Sequence, residues 1–140
     1  MQKELNLNGE TPVSPRAIVE RFWQLMASND FFSVQAVLSE DFVLEWPQSG
    51  ERIRGGENFA KMNAEYTAHG LWMFSLNHFI CDDVKVVTDV SVTDSVQQGR
   101  AISFFTISNG KIQKIVEFWP DPFPAPENRQ HLVEMMTHPA

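Results

Sequence analysis

Four side chains in this 140-residue chain have the types and placement for proton chemistry: Glu117, Asp89, Tyr66 and His78. Glu117 stands just before Phe118-Trp119, near the end of a strand that Pro120 stops. A carboxyl walled by aromatic rings favours its neutral form, which moves its pKa towards the range of a general acid or base. Its other reading is a strand-end acid in a surface or interface ion pair. Asp89 sits in Val86-Val87-Thr88-Asp89-Val90, where a charge needs a partner or a pocket. Facing inward, it would join Glu117, and two carboxyls at one site split into an acid and a base. Facing outward, it is a solvated acid. Tyr66 offers a hydroxyl to a developing oxyanion, or is a core tyrosine with its hydroxyl at the rim. His78 shares a strand face with Trp72, Phe74, Leu76 and Ile80, either as a proton shuttle or as a packed histidine.

Trp46, Trp119, Phe104, Trp23 and Phe59 are the flat surfaces available to a hydrophobic ligand, and each is equally a core residue. Arg52 and Arg54 flank Ile53 near the expected mouth, to hold an anionic oxygen or to sit in solvated pairs. The sequence has no His-Glu-x-x-His and no Cys/His spacing for a metal; His69, His78, His131 and His138 are isolated. Ser49 lies in Pro-Gln-Ser-Gly rather than Gly-x-Ser-x-Gly, and no glycine loop for phosphate is present. No metal and no nucleotide cofactor is expected.

These residues need elements to position them. Ser14-Pro15 opens a helix, with an N-cap serine and a proline at the first helical position. Ile18, Val19, Phe22, Trp23, Leu25 and Met26 give it an apolar face. Asp30 caps a second, short helix carrying Phe31, Val34, Val37 and Leu38. Phe42–Trp46 reads as a strand and Arg52–Arg54 as a brief return. Gly55-Gly56 leads into a third helix with Phe59, Met62, Asn63 and Tyr66 on one stripe, ended by Gly70. Strands follow at Trp72–Ile80, Val84–Asp94, Gly99–Ser108 and Lys111–Trp119. Asn109-Gly110 turns the last pair, since both residues tolerate positive φ. On the last strand Ile115, Glu117 and Trp119 share one face, while Ile112, Val116 and Phe118 are assigned to the outer one. Glu127–Met136 reads as a short amphipathic helix with Leu132, Val133 and Met136 on one side. The fold class is α+β: a curved, mostly antiparallel sheet packed against three N-terminal helices. The division is an N-terminal arm (1–13), a single domain (14–126) and a C-terminal helix or tail (127–140).

A chain that is 43% hydrophobic and 21% charged is of ordinary globular composition. A net charge of -7 with no basic patch argues against nucleic acid as a partner. No apolar run approaches the ~20 residues of a membrane helix. The single cysteine, Cys81, excludes an intrachain disulfide and fits the cytoplasm.

The element order resembles the nuclear-transport-factor-2-like superfamily, in its polyketide-cyclase-like and ketosteroid-isomerase-like (SnoaL-like) branch. The helix-1 pattern, Phe42–Trp46 followed by Pro47, Gly55-Gly56, and the ending Asn109-Gly110-Lys111-Ile112 to Glu117-Phe118-Trp119 carry the resemblance, which covers Pro15 to Pro126. It implies a cone-shaped barrel with a deep, mostly apolar cavity, and homodimers through the outer sheet face. Members with an acid at the place of Glu117 point it into the cavity. The epoxide-hydrolase branch places Arg and Asp two residues apart on one strand; the matching places here are Asp89 and Ser91, so that couple is missing. The steroid-isomerase tyrosine of the first helix also has no counterpart, because Tyr66 is the only tyrosine. The expectation is a cofactor-free small enzyme moving a proton on a hydrophobic carbonyl compound. The alternatives are a carrier of an apolar ligand and an interaction module of the same fold.

Overall fold

The computed structural model describes residues 13–136. The arm expected at the N-terminus lies outside them apart from Val13, as do residues 137–140 with His138.

The first helix, α1, runs Pro15–Ala27, and Ser14 caps it by accepting the Ala17 amide at 3.2 Å. Ile18, Val19, Phe22 and Met26 lie on its buried face. Asn29 follows in the left-handed region, and its side chain grips Trp72 across the fold. Its Nδ2 donates to the Trp72 carbonyl at 2.9 Å and its Oδ1 accepts the Trp72 amide at 2.8 Å. Phe31–Val37 forms a 3-10 helix, and Asp30 makes no side-chain cap there. Strand β1 spans Leu38–Trp46, beginning four residues earlier than the sequence pattern marks, and β2 spans Glu51–Arg54. Helix α2, Gly56–Glu65, stops at Tyr66 rather than at Gly70.

The strands β3 (Met73–Cys81), β4 (Lys85–Thr93), β5 (Gln98–Ser108) and β6 (Lys111–Phe118) form an antiparallel meander. Asn109 and Gly110, both at positive φ, turn β5 into β6. β6 then pairs in parallel with β1, so the sheet order is β2-β1-β6-β5-β4-β3. The sheet is curved and unclosed. Its concave face and the helices bury one core around Phe22, Phe42, Leu44, Phe105 and Ile115. Rings of Phe22, Phe59, Phe42 and Phe105 meet within it at 5.2–6.0 Å between centroids.

One expectation is corrected at the strand level and one at the C-terminus. Ile112 belongs to the core and not to the outer face. The register of β5 on β6 slips between Thr106 and Ile107, which reverses the alternation below Gln113. The C-terminal segment forms a 3-10 helix over Glu127–Leu132 only. None of its residues is buried, and Val133 and Met136 are exposed.

Candidate functional site

Alternation along β6 places Ile115 and Glu117 on the concave side, and Glu117 is 8% exposed. Three donors converge on its carboxyl. Trp46 Nε1 at 3.2 Å and Trp119 Nε1 at 2.9 Å both donate to Oε1, and the Ser103 hydroxyl donates to Oε2 at 2.7 Å. Burial pushes the Glu117 pKa up, and the bonds from Ser103, Trp46 and Trp119 pull against it without cancelling it. Oε1 is saturated by two indoles. Oε2, with one donor, keeps a lone pair free for a proton.

The donors come from three strands. Trp46 ends β1, Ser103 faces Glu117 in register on β5, and Trp119 lies just past β6. Trp119 is held in strand-like pairing by Gln48. Its amide donates to Gln48 Oε1 at 2.6 Å, and Gln48 Nε2 donates to its carbonyl at 3.3 Å. Gly99 makes room for the ring, because a Cβ there would stand 3.1 Å from Trp119 Cζ3.

Glu117 lines a pocket of about 500 Å³ together with all four tryptophans, Trp23, Trp46, Trp72 and Trp119. Phe22, Phe31, Phe59, Phe74, Met26 and Met62 add apolar wall. Trp23 Nε1 donates to the buried Thr88 hydroxyl at 3.2 Å, so that indole is also fixed. Polar residues including Gln48, Asn63 and Gln98 complete the lining.

A buried carboxylate away from the base of the pocket holds the segment that follows α2. Asp94 is 2% exposed and accepts the amides of Val96, Gln97 and His69 and the Gln97 side chain, at 2.6–2.9 Å. Burial pushes its pKa up, but these donors outweigh burial and hold it far below the ordinary aspartate range. Gln97 Nε2 also donates to the Thr67 carbonyl. With Asn29 on Trp72, this fixes both ends of the stretch from Thr67 to Trp72.

The residues singled out from the sequence separate into two groups. Glu117, Trp46, Trp119, Trp23, Phe59 and Tyr66 come together at the pocket. Tyr66 is 59% exposed and its ring stands edge-on to Trp72, 5.9 Å away, which places it at the rim. Asp89, His78 and Phe104 lie on the convex face of the sheet. Asp89 alternates with Thr88 and Val90, which point inward, and is therefore no second acid beside Glu117. Arg100 binds it with two hydrogen bonds of 2.7 and 2.6 Å, and this guanidinium holds the Asp89 carboxyl below its ordinary range. His78 lies opposite Asp89 in register, 4.0 Å from it, with its side chain 69% exposed. Phe104 packs on Phe118 at 6.1 Å, outside the pocket. Arg52 is engaged by Glu45 at 2.7 Å and does not line the pocket. Among the described residues, no group of three or more His, Cys, Asp or Glu side chains is placed to hold a metal ion. Ser103, Thr88 and Gly99 were not singled out. Their only signal is position: each sits at an inward step of a strand where a large apolar residue would be expected.

The fold is shared with proteins of known structure. A candidate ketosteroid isomerase from Kribbella flavida DSM 17836 is 26% identical, covering 88% of this chain and 90% of its own, with a TM-score of 0.79. An NTF-2-like protein of unknown function from Burkholderia xenovorans LB400 is 25% identical over 86% of this chain and 94% of its own, with a TM-score of 0.71. An epoxide hydrolase of the LEH-like type from M. tuberculosis is similar in fold, at 22% identity and a TM-score of 0.62 over 75% of this chain and 81% of its own. No curated protein matches the sequence. Residues 19–115 match the family model described as the SnoaL-like domain.

Proposed function

The chain belongs to the SnoaL-like domain family, and from that premise we propose that it is a small acid/base enzyme acting on a hydrophobic carbonyl compound. The observation that carries this reading is Glu117: a buried carboxyl with a raised pKa, one free lone pair, and an apolar pocket in front of it. Glu117 is the proton carrier. Its carboxylate takes a proton from the carbon beside the substrate carbonyl onto Oε2, while Oε1 stays fixed by the two indoles. The electron pair moves onto the carbonyl oxygen as an enolate. Glu117 then returns the proton to another carbon, or to a leaving oxygen. This describes isomerisation, cyclisation or dehydration, and only a proton is exchanged with the protein, so the chemistry needs no cofactor. Tyr66 and Ser49 bring hydroxyls to the pocket lining; Ser49 donates to Glu51 at 2.6 Å, and Tyr66 is read as the partner of the enolate oxygen.

In the same reading the protein acts in the cytoplasm as a homodimer. Ile80, Phe104 and Phe118 leave apolar surface on the convex sheet face, which a second copy would cover.

The test is tryptophan fluorescence and turnover of wild type and Glu117→Gln against enones, polyketide-like phenols, epoxides and fatty acids. Saturable binding with turnover that disappears in Glu117→Gln is the expected result. Binding that the substitution leaves unchanged, with no turnover by either protein, refutes the enzyme and leaves a carrier of apolar ligands.

A further inference from the structure

The charges around the pocket are all of one sign. Glu51, Glu117 and Asp121 line it, and among the described residues no lysine, arginine or histidine does. Neither Glu51 nor Asp121 is in an ion pair among the described residues. Of the cations on nearby strands, Arg52 and Lys114 are engaged by Glu45 and Arg100 by Asp89 on the convex face, while Arg54 on β2 is exposed, in no ion pair among the described residues, and does not line the pocket. The walls carry all four tryptophans, and indole has the most cation-attracting face of any side chain. An anion in this pocket would meet Glu51 and Asp121 at the mouth with no cation in the lining to offset them. A cation would meet carboxylates and ring faces together.

We propose that the pocket takes an apolar ligand bearing a positive charge, a protonated or quaternary amine, and rejects carboxylates, sulfonates and phosphates. The inference rests on the pocket being the substrate site, as read above, and adds the charge of the substrate. The carbonyl end reaches Glu117, and the amine end stays at the rim with Glu51 and Asp121. Those two residues share one side of the opening, because Gln48, in the turn before Glu51, binds the backbone of Trp119, two residues before Asp121.

Three phenols of one shape separate the possibilities by calorimetric titration of the full chain: para-hydroxyphenyltrimethylammonium, para-tert-butylphenol and para-hydroxybenzenesulfonate. The ammonium compound is expected to bind about tenfold more tightly than the neutral phenol, and the sulfonate not measurably. Glu51 and Asp121 are exposed, so Glu51→Gln with Asp121→Asn leaves the fold intact. That double variant is expected to lose most of the ammonium preference while binding the neutral phenol as wild type does. Equal affinity for the neutral and ammonium compounds, measurable sulfonate binding, or no binding of any of the three overturns the proposal. A double variant with the full preference overturns the assignment to the rim. The acid/base reading fails by a different readout, turnover that Glu117→Gln leaves unchanged, and the charge preference is measured without turnover.

Discussion

Replacing Glu117 by glutamine isolates what burial does to this carboxyl. The shape is kept, and so are the bonds. The amide oxygen takes the place of Oε1 and accepts Trp46 and Trp119, while the amide nitrogen donates to the Ser103 oxygen, whose hydroxyl rotates away. What disappears is the titration. In the folded protein burial holds the Glu117 pKa above the ordinary value of about 4.3 that it has in the unfolded chain. Between those two values the folded state keeps its proton and the unfolded state releases it. Wild-type stability therefore falls as pH rises through that window, by about 1.4 kcal/mol for each pH unit that separates the two pKa values. Below the window the group is neutral in both states and costs nothing; above it the deficit is constant. Glu117→Gln has no such dependence. Urea unfolding of both proteins, followed by tryptophan emission from about pH 4 to about pH 9, gives the difference directly. The variant should gain on wild type as pH rises and then level off, and the height of the step measures the shift. A difference that stays flat, or that moves in favour of wild type as pH rises, would show that the three donors outweigh burial, and the proposed role of Glu117 as a proton carrier with a raised pKa would go with it.

Trp119→Phe and Trp46→Phe each remove an N–H donor from Oε1 and should raise the Glu117 pKa further. Carbon NMR titration of the carboxyl reads both. Gly99→Ala pushes a methyl against the Trp119 ring, so the indole must yield by a few tenths of an ångström; weaker ligand binding and a shifted tryptophan emission are expected, and unchanged values for both would dissociate Gly99 from the site. Asp94→Asn leaves the His69 amide facing an amide nitrogen instead of Oδ2. Hydrogen exchange at His69 should speed up and the urea midpoint should fall. Because the folded pKa of Asp94 is depressed, the stability its charge contributes in wild type is lost as pH falls below the ordinary aspartate range. Asp89→Asn breaks the paired contact with Arg100 on the convex face; it should lower the urea midpoint and leave ligand affinity in the pocket unchanged.

The inward direction of Glu117 is what the family resemblance implies; alternation adds only that Glu117 shares a face with Ile115, and the structure buries that face. Asp89 is not legible in the same way. Both faces of β4 are rich in β-branched residues, so alternation separates Asp89 from Thr88 without saying which of them the helices cover. Phe104 and Phe105 are adjacent and equally aromatic, and only the packing of Phe22 against Phe105 decides which one is core. Ile112 is lost to a one-residue register slip, which no single-strand pattern records. The end of α2 at Tyr66 depends on Asp94 and Gln97, which seize the following segment from 25 and 30 residues away. The donor from Ser103 is a cross-strand fact of the same kind: it follows once β5 and β6 are in register, and not before.

The parallel seam between β1 and β6 also sets an order in time. The meander from β3 to β6 closes through short turns, but parallel neighbours need a long connection, and 71 residues separate Trp46 from Glu117. Closing so large a loop is the slow step of such a topology. Until it closes, Glu117 is a wet carboxyl at the edge of an unfinished sheet, with ordinary acidity. When it closes, the group is buried and binds a proton that solvent must supply. Refolding at a pH within the window of its shifted titration should therefore consume one proton in the slowest phase, visible with a pH indicator dye. Uptake in the first phase would mean that the seam forms early. The pocket is thus the last part of the molecule to exist, and its completion is recorded as a change in the acidity of the surrounding water.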